Sequence, residues 1–305
     1  MADVVAGPPT AGARLLRVIG LVRYRFFLFA GLLPYLLGAA WAFSIDGRFD
    51  AFVFWVGLIG IGLSVVGVEA FNEYFDARMG TDRIFNPADL PPITIAVFVV
   101  GVVAFAAALA VGVYLTRVAG WPILVFAVLG GMAAIFYEAP PIRWCYRGLG
   151  ETMIGLAYGP WMVLGSLYLH TQSLSWGALA ASLVPGLLIT ALAVVNAVPD
   201  YHQDRLVGKR NLVVRLGRSR AVLLYLALAG AGLAVVAAGV ALRLFPLPCL
   251  LALAALPLLV ASARRARGTC QTPRQFLPAI RSIVACYALA VALFTGGVFL
   301  HGFGA

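Results

Sequence analysis

Charge is scarce in this 305-residue chain: Asp, Glu, Lys and Arg make up 11% of it, while 63% is hydrophobic. A water-soluble fold needs more polar surface than that, so an ordinary soluble domain is excluded. Acids are the scarcer charge, 12 against 22 basic residues, and Lys209 is the single lysine. The four cysteines, Cys145, Cys249, Cys270 and Cys286, form no CxxC pair, which argues against a zinc site and a disulfide framework. With so few acids, any place where several gather calls for a reason.

Long apolar runs are abundant. Nine of them, at roughly 22–43, 51–72, 93–115, 121–137, 152–169, 176–198, 221–242, 244–262 and 280–300, are long enough to cross a bilayer as helices. The first follows Arg14, Arg17, Arg23 and Arg25 and contains "AWA" at 40–42, as a signal peptide would. It is long for a signal core, however, and eight more runs follow, so it reads as the first transmembrane helix. With the N-terminus inside, nineteen of the 22 basic residues fall on the inner side, leaving Arg48, Arg117 and Arg243 outside. That is the bias of cytoplasmic loops.

The expected fold is an all-α integral membrane protein of nine transmembrane helices, N-terminus cytoplasmic, in the plasma membrane. Residues 1–13 read as a disordered tail and 14–305 as one transmembrane domain. The net charge of +10 is a topology signal and does not argue for nucleic acid; the lipid bilayer is the expected surroundings. The longer connections, 73–92, 138–151, 199–220 and 263–279, are all on the inner side, so the chemistry is expected to face the cytoplasm.

Two acid clusters sit there. "NEYFDARMGTD" ends the second run and holds Asn72, Asp76 and Asp82; "NAVPDYHQD" ends the sixth and holds Asn196, Asp200 and Asp204. Both begin Asn-x-x-x-Asp, which places the polar pair on one helical face. A helix continuing through the second cluster would stack Asn196, Asp200 and Asp204 in a row, with Pro199 as a possible kink. Carboxylates near hydrocarbon are costly and usually functional. Two such groups facing each other would repel unless a cation lay between them, and Mg²⁺, shared with substrate phosphates, suits an all-oxygen set. Lys209, Arg210, Arg78 and Arg83 are placed to grip phosphate oxygens, whereas Arg218 and Arg220 read as membrane anchors. Glu69, on roughly the face of Asn72 and Asp76, is either a partner orienting the site or part of an acceptor pocket. His202 is expected to face away from the aspartates, and His170 and His301 to lie at the outer interface.

With "FYEAPPIRWCYRGLGE" and "NAVPDYHQDRLVGKRNLVVRLG" added, these motifs resemble the UbiA superfamily of intramembrane prenyltransferases, most closely the 1,4-dihydroxy-2-naphthoate polyprenyltransferases of menaquinone synthesis. The resemblance implies a nine-helix bundle with a cavity opening sideways into lipid. It further implies Mg²⁺ and an isoprenyl diphosphate bound by Asp76, Asp82, Asp200 and Asp204, and transfer of the polyprenyl group to an aromatic acceptor. Asn72 and Asn196 would be substrate-binding, as would Tyr137, Arg143 and Tyr146 in the loop between the fourth and fifth helices. Asp76 and Asp200, assisted by Lys209 and Arg78, would carry the loss of the diphosphate, and Arg210 would bind it. Phe71, Phe75, Tyr137 and Tyr158 are candidates to line the isoprenoid site. Two departures stand out: Glu73 occupies the place of a common Asp, and "RIFNPADLPP" lacks the Gly-rich stretch of many naphthoate enzymes. A transporter would instead place charges or broken helices at the midplane. A cyclase of the same superfamily would share the Asp motifs without an aromatic acceptor.

Overall fold

The computed structural model describes residues 24–79 and 95–303, without the side chains of 24–29, Asp76 and Met79. The expected tail 1–13, the arginines before Tyr24, and Asp82 and Arg83 lie outside the described residues.

All the described secondary structure is helical. In chain order it comprises α1 (Tyr24–Ser44), α2 (Ala51–Met79), α3 (Ile95–Ala119), α4 (Pro122–Ile135) and α5 (Trp144–Arg147). There follow α6 (Gly150–Leu156), a π-helical turn (Ala157–Trp161), α7 (Met162–Thr171), α8 (Trp176–Ala197), α9 (Tyr201–Leu206), α10 (Leu212–Leu216) and α11 (Arg218–Ala241). A 3₁₀ segment (Leu247–Ala255), α12 (Leu256–Ala266) and α13 (Pro273–His301) complete the chain. In hydrocarbon each backbone N–H and C=O must be satisfied within its own segment, so apolar runs of this length become helices.

Seven of the helical stretches are long and apolar enough to cross a membrane, counting Gly150–Thr171 and Leu247–Ala266 as one each. Two shorter apolar stretches, Ala30–Ser44 of α1 and Pro122–Ile135, stand where the first and fourth runs were expected. At 14 residues, α4 reaches about 21 Å, less than the roughly 30 Å hydrocarbon core. The chain therefore turns into its polar loop early. The seventh and eighth runs remain separate, divided by a turn in which Arg243 takes a positive φ of 58°.

α8 is the central helix. Its buried residues, among them Ala181, Leu188, Ala191 and Val195, face neighbours on several sides and share one core with Tyr225, Phe276 and Tyr287. Small residues let its backbone meet the fifth span: a Cβ on Gly159 would lie 2.7 Å from the Cα of Gly186 and 2.9 Å from the Ser182 carbonyl. Such contacts replace the hydrophobic effect as the packing force between membrane helices. Gly159 and Pro160 fall in the π turn, where an extra residue per turn is accommodated, as is frequent at functional sites.

Helix α8 stops at Ala197, so Asn196, Asp200 and Asp204 are not stacked on one continuous helix. Pro199, which has no N–H to continue the ladder, lies in the break. Asp200 instead precedes α9, and its carbonyl accepts the Asp204 N–H at 2.8 Å.

Candidate active site

At one end of the bundle two loops are stitched together. The loop after α4 brings Glu138, and the loop after α9 brings Lys209; both side chains are buried, and Lys209 Nζ donates to Glu138 Oε1 at 2.7 Å. The same ammonium is 3.9 Å from Asp204 Oδ1. Asp204 is itself buried, and its Oδ2 accepts from Asn211 Nδ2 at 2.6 Å. Asn211 Oδ1 caps α10 by accepting the Val214 N–H, and Glu151 Oε1 accepts the Leu212 N–H at 2.9 Å. Arg215 spans the two loops, donating to the carbonyls of Arg210 and Arg147. An ammonium between two carboxylates in a buried setting holds its position because no water competes for it.

Around this network several buried polar atoms have no hydrogen-bond partner: Arg143 Nε, Tyr146 Oη, Glu151 Oε2 and Gln203 Oε1. Buried polar groups are nearly always paired, and each exception asks for a ligand, ion or water. Arg143 takes a left-handed φ of 54° at the start of α5, and its guanidinium carbon sits 5.2 Å from the Tyr146 ring centre. Burial pushes the Tyr146 phenol up to about 12, with nearby Lys209 and Arg143 opposing and Glu138 and Cys145 reinforcing that shift. At neutral pH it is a donor.

Below the cluster runs an apolar cavity of about 510 Å³. Asn72 and Tyr137 mark its polar end; Val65, Phe105, Phe126 and Tyr158 are among its walls. Leu109 of α3 and Val128 and Met132 of α4 line it while remaining 51%, 44% and 41% exposed. The cavity is therefore open on the flank between α3 and α4.

The expected site residues fall into three groups. Tyr137, Arg143, Tyr146, Asp204 and Lys209 come together, and Asn72 joins them through the cavity. Asn196 and Asp200 are half-buried at the α8–α9 break. Arg78 and Arg210 are at the exposed periphery, with Arg78 Nη1 donating to Tyr74 Oη on its own helix at 2.7 Å. The Asp76 side chain and Asp82 lie outside the described residues. Phe71 and Phe75 do not line the cavity; they pack on Phe98, with Phe71 also against Phe105. Arg218 is no membrane anchor: it is buried, donates to the carbonyls of Val198, Pro199 and Gln271, and stacks on Tyr201. It satisfies backbone acceptors left by the α8 break. His202 is exposed. Glu69 is buried and lies within electrostatic reach of the Tyr158 hydroxyl.

Sequence reasoning missed Glu138, Glu151, Asn211 and Gln203. The signal for the first two was present: in a chain with 12 acids, both stand in the "FYEAPPIRWCYRGLGE" stretch.

Among the described residues no group of three or more His, Cys, Asp or Glu is placed to hold a metal ion. Mg²⁺ needs no such group, since one or two carboxylates plus substrate phosphates ordinarily hold it. Asp200 and Asp204, successive polar positions one turn apart, fit that limited role. The acid-rich donor set and the unpartnered oxygens of Glu151 and Gln203 have the right chemistry for a hard, hydrated cation.

Comparison with known proteins gives consistent matches. Residues 31–284 match the UbiA prenyltransferase family. The 1,4-dihydroxy-2-naphthoate octaprenyltransferase of Escherichia coli (strain K12) is 30% identical over 275 residues, 85% of this chain and 88% of that protein. The 2-carboxy-1,4-naphthoquinone phytyltransferase of a Synechocystis strain is 26% identical over 282 residues, 90% of this chain and 88% of that protein. Among solved structures, a UbiA homologue from Archaeoglobus fulgidus bound to GPP and Mg²⁺ superposes with a TM-score of 0.61 at 16% identity, over 94% of this chain and 99% of that one.

Proposed function

Because this chain belongs to the UbiA prenyltransferase family and is a polyprenyl transferase, we propose that it moves the polyprenyl group of an isoprenyl diphosphate onto 1,4-dihydroxy-2-naphthoate, in menaquinone biosynthesis. The naphthoate and naphthoquinone acceptors in the names of its relatives support that acceptor. A solved relative bound to GPP and Mg²⁺ supports the donor and the metal. The single observation that carries the reading is the junction of an apolar cavity, ending at Asn72 and Tyr137, with the buried Glu138–Lys209–Asp204 cluster. One ligand with a charged head and a greasy tail would occupy both.

The diphosphate would sit at the cluster, with Lys209 and Arg143 donating to its oxygens and Asp76, Asp82, Asp200 and Asp204 holding Mg²⁺. Mg²⁺, when bound, supplies positive charge against that developing on the leaving group. Lys209 is held by Glu138 before the substrate arrives, so its charge needs no reorganisation during reaction. Tyr146, protonated at neutral pH, donates to the same oxygens. As the allylic C–O bond breaks, its electron pair leaves with the diphosphate and an electron-rich ring carbon of the acceptor bonds to the allylic carbon. That ring carbon then loses its own substituent, a proton or the carboxyl group as CO₂, to restore the aromatic ring. The apolar walls would keep water from capturing the cation, and Tyr137 and Tyr158, which line the cavity, offer aromatic rings that could stabilise it. The cluster would face the cytoplasm, with nine spans and an inside N-terminus in the plasma membrane; the 19-to-3 distribution of basic residues supports that orientation.

The test is incubation of the detergent-purified chain with Mg²⁺, geranylgeranyl diphosphate and 1,4-dihydroxy-2-naphthoate, read by mass spectrometry, with Asp76→Ala and Asp200→Ala alongside. The expected outcome is a metal-dependent prenylated naphthoquinol, read directly or as the quinone after oxidation by air, that both variants lose. Metal-dependent diphosphate release without prenylated product would overturn the acceptor and favour a cyclase.

A further inference from the structure

Asn211 is buried, and both ends of its side-chain amide are fixed. Its Oδ1 accepts the Val214 N–H at 2.8 Å as the cap of α10. The Nδ2 end is then the one that meets Asp204, donating to its Oδ2 at 2.6 Å. Turning the amide over would lose the cap and set two oxygens against each other, so the network decides which end is the donor.

The two side chains meet because both backbones are pinned. The Asp204 N–H donates to the Asp200 carbonyl, and the Asp204 carbonyl accepts the Lys209 N–H, each at 2.8 Å. On the other side, Glu151 Oε1 accepts the Leu212 N–H at 2.9 Å, and the Asn211 carbonyl accepts the Arg215 N–H at 3.0 Å. Asn211 is thus a fixed stop against one edge of the Asp204 carboxylate. The other oxygen, Oδ1, is turned toward Lys209 at 3.9 Å.

That asymmetry matters to a cation. Mg²⁺ demands near-ideal octahedral geometry at about 2.0–2.1 Å, and the narrow bite of one carboxylate does not span two corners of an octahedron that small. Ca²⁺, at about 2.3–2.6 Å and with flexible geometry, readily takes both oxygens of a carboxylate. A hydrogen bond on Oδ2 competes with such chelation, while it orients the carboxylate for ligation through Oδ1 alone.

We propose that Asn211 is a positioning residue for the metal: by holding Oδ2 it makes Asp204 a one-oxygen ligand and so selects Mg²⁺ over Ca²⁺. The inference rests on the reading of Asp204 as a metal ligand given above and extends it to which ion the site takes.

The test reads binding, and turnover plays no part in it. Calorimetry on the full chain in micelles with geranyl thiolodiphosphate, corrected for ion binding by the analogue alone, gives the affinities for Mg²⁺ and Ca²⁺. The wild type should prefer Mg²⁺. Asn211→Ser keeps an oxygen to cap α10 but has no amide to reach Asp204. It should lose about tenfold for Mg²⁺, which loses an oriented ligand, and less than about threefold for Ca²⁺, which recovers by chelation. Equal losses for both ions would mean a purely structural role; that result, unchanged affinities, or a wild type that prefers Ca²⁺ overturns the inference alone. Should Asn211→Ser melt well below the wild type, Asn211→Asp carries the test, since it matches the amide in shape and also caps a helix. It adds a carboxylate beside Asp204, so its preference should move toward Ca²⁺, and an unmoved preference overturns the inference. Asp204→Ala probes the underlying reading: if it binds Mg²⁺ as the wild type does, or if the wild type binds neither ion, the metal-ligand reading itself falls.

Discussion

Replacing Glu138 should be among the most damaging single changes in the chain. Its carboxylate meets Lys209 at 2.7 Å, and the two side chains are 6% and 9% exposed. Removing one member of a buried pair strands the other charge away from water and typically costs about 3–5 kcal/mol. Asp204, 3.9 Å from the same ammonium, offsets part of that loss, so the cost should fall toward the lower end of the range. Glu138→Gln retains an acceptor oxygen and should fall near the lower figure. Lys209→Met removes the other charge of the pair and should also destabilise the chain. The double variant removes both charges, so its cost should be at least about 2 kcal/mol less than the sum of the singles. Reversible unfolding in mixed micelles, titrated with a denaturing detergent, gives the four values of the cycle. Activity separates the roles: on the proposed role of Lys209 at the diphosphate, the double variant should regain stability yet remain inactive. Additivity within about 0.5 kcal/mol would show that the pair is solvated and contributes no coupling, and the preorganised ammonium would have to be abandoned.

Arg218→Ala should destabilise the chain by about 3 kcal/mol and abolish activity by loosening the segment bearing Asp200, because charged hydrogen bonds to three backbone carbonyls vanish; Arg220→Ala, at an exposed position, should be neutral in the same unfolding assay. The Tyr146 phenol, pushed up to about 12 by burial, is neutral in the folded chain where an unfolded phenol would ionise. Its contribution to stability is present below pH 10 and declines as pH rises from about 10 to about 12, so alkaline unfolding should be less steep in Tyr146→Phe than in the wild type. That variant should also lose about tenfold in turnover without moving the pH profile between 6 and 9. Gly159→Val should be destabilised by about 1–3 kcal/mol, since its side chain has no space against Gly186 and Ser182.

The spans were legible because apolar runs have one satisfied backbone conformation in hydrocarbon, and the rarity of acids singled out the segments around Asp200 and Asp204. What the pattern could not carry was tertiary. Arg218 reads as one more inner arginine until the α8 break supplies it with unpaired carbonyls. Glu138 and Lys209 are far apart in the chain, and only folding makes them a pair. Phe71 and Tyr158 are both aromatics in apolar runs, yet one packs between α2 and α3 and the other faces the cavity; helical periodicity cannot separate them when every face of a helix is apolar. Of the two readings open for Asn196, Asp200 and Asp204, one stacked row or a kink at Pro199, the helix break after Ala197 realises the second.

The opening between α3 and α4, at Leu109, Val128 and Met132, would make the proposed reaction a two-phase one. A charged head group would reach the cluster from water, while the tail and the finished product would pass sideways into lipid without crossing an aqueous layer. Each methylene kept out of water avoids about 0.8 kcal/mol, so the product is drawn off by partitioning. It follows that the quantity governing saturation by the donor is its mole fraction in the bilayer or micelle. Diluting the substrate with detergent at fixed bulk concentration should slow the reaction, much as diluting a solute in its own solvent would.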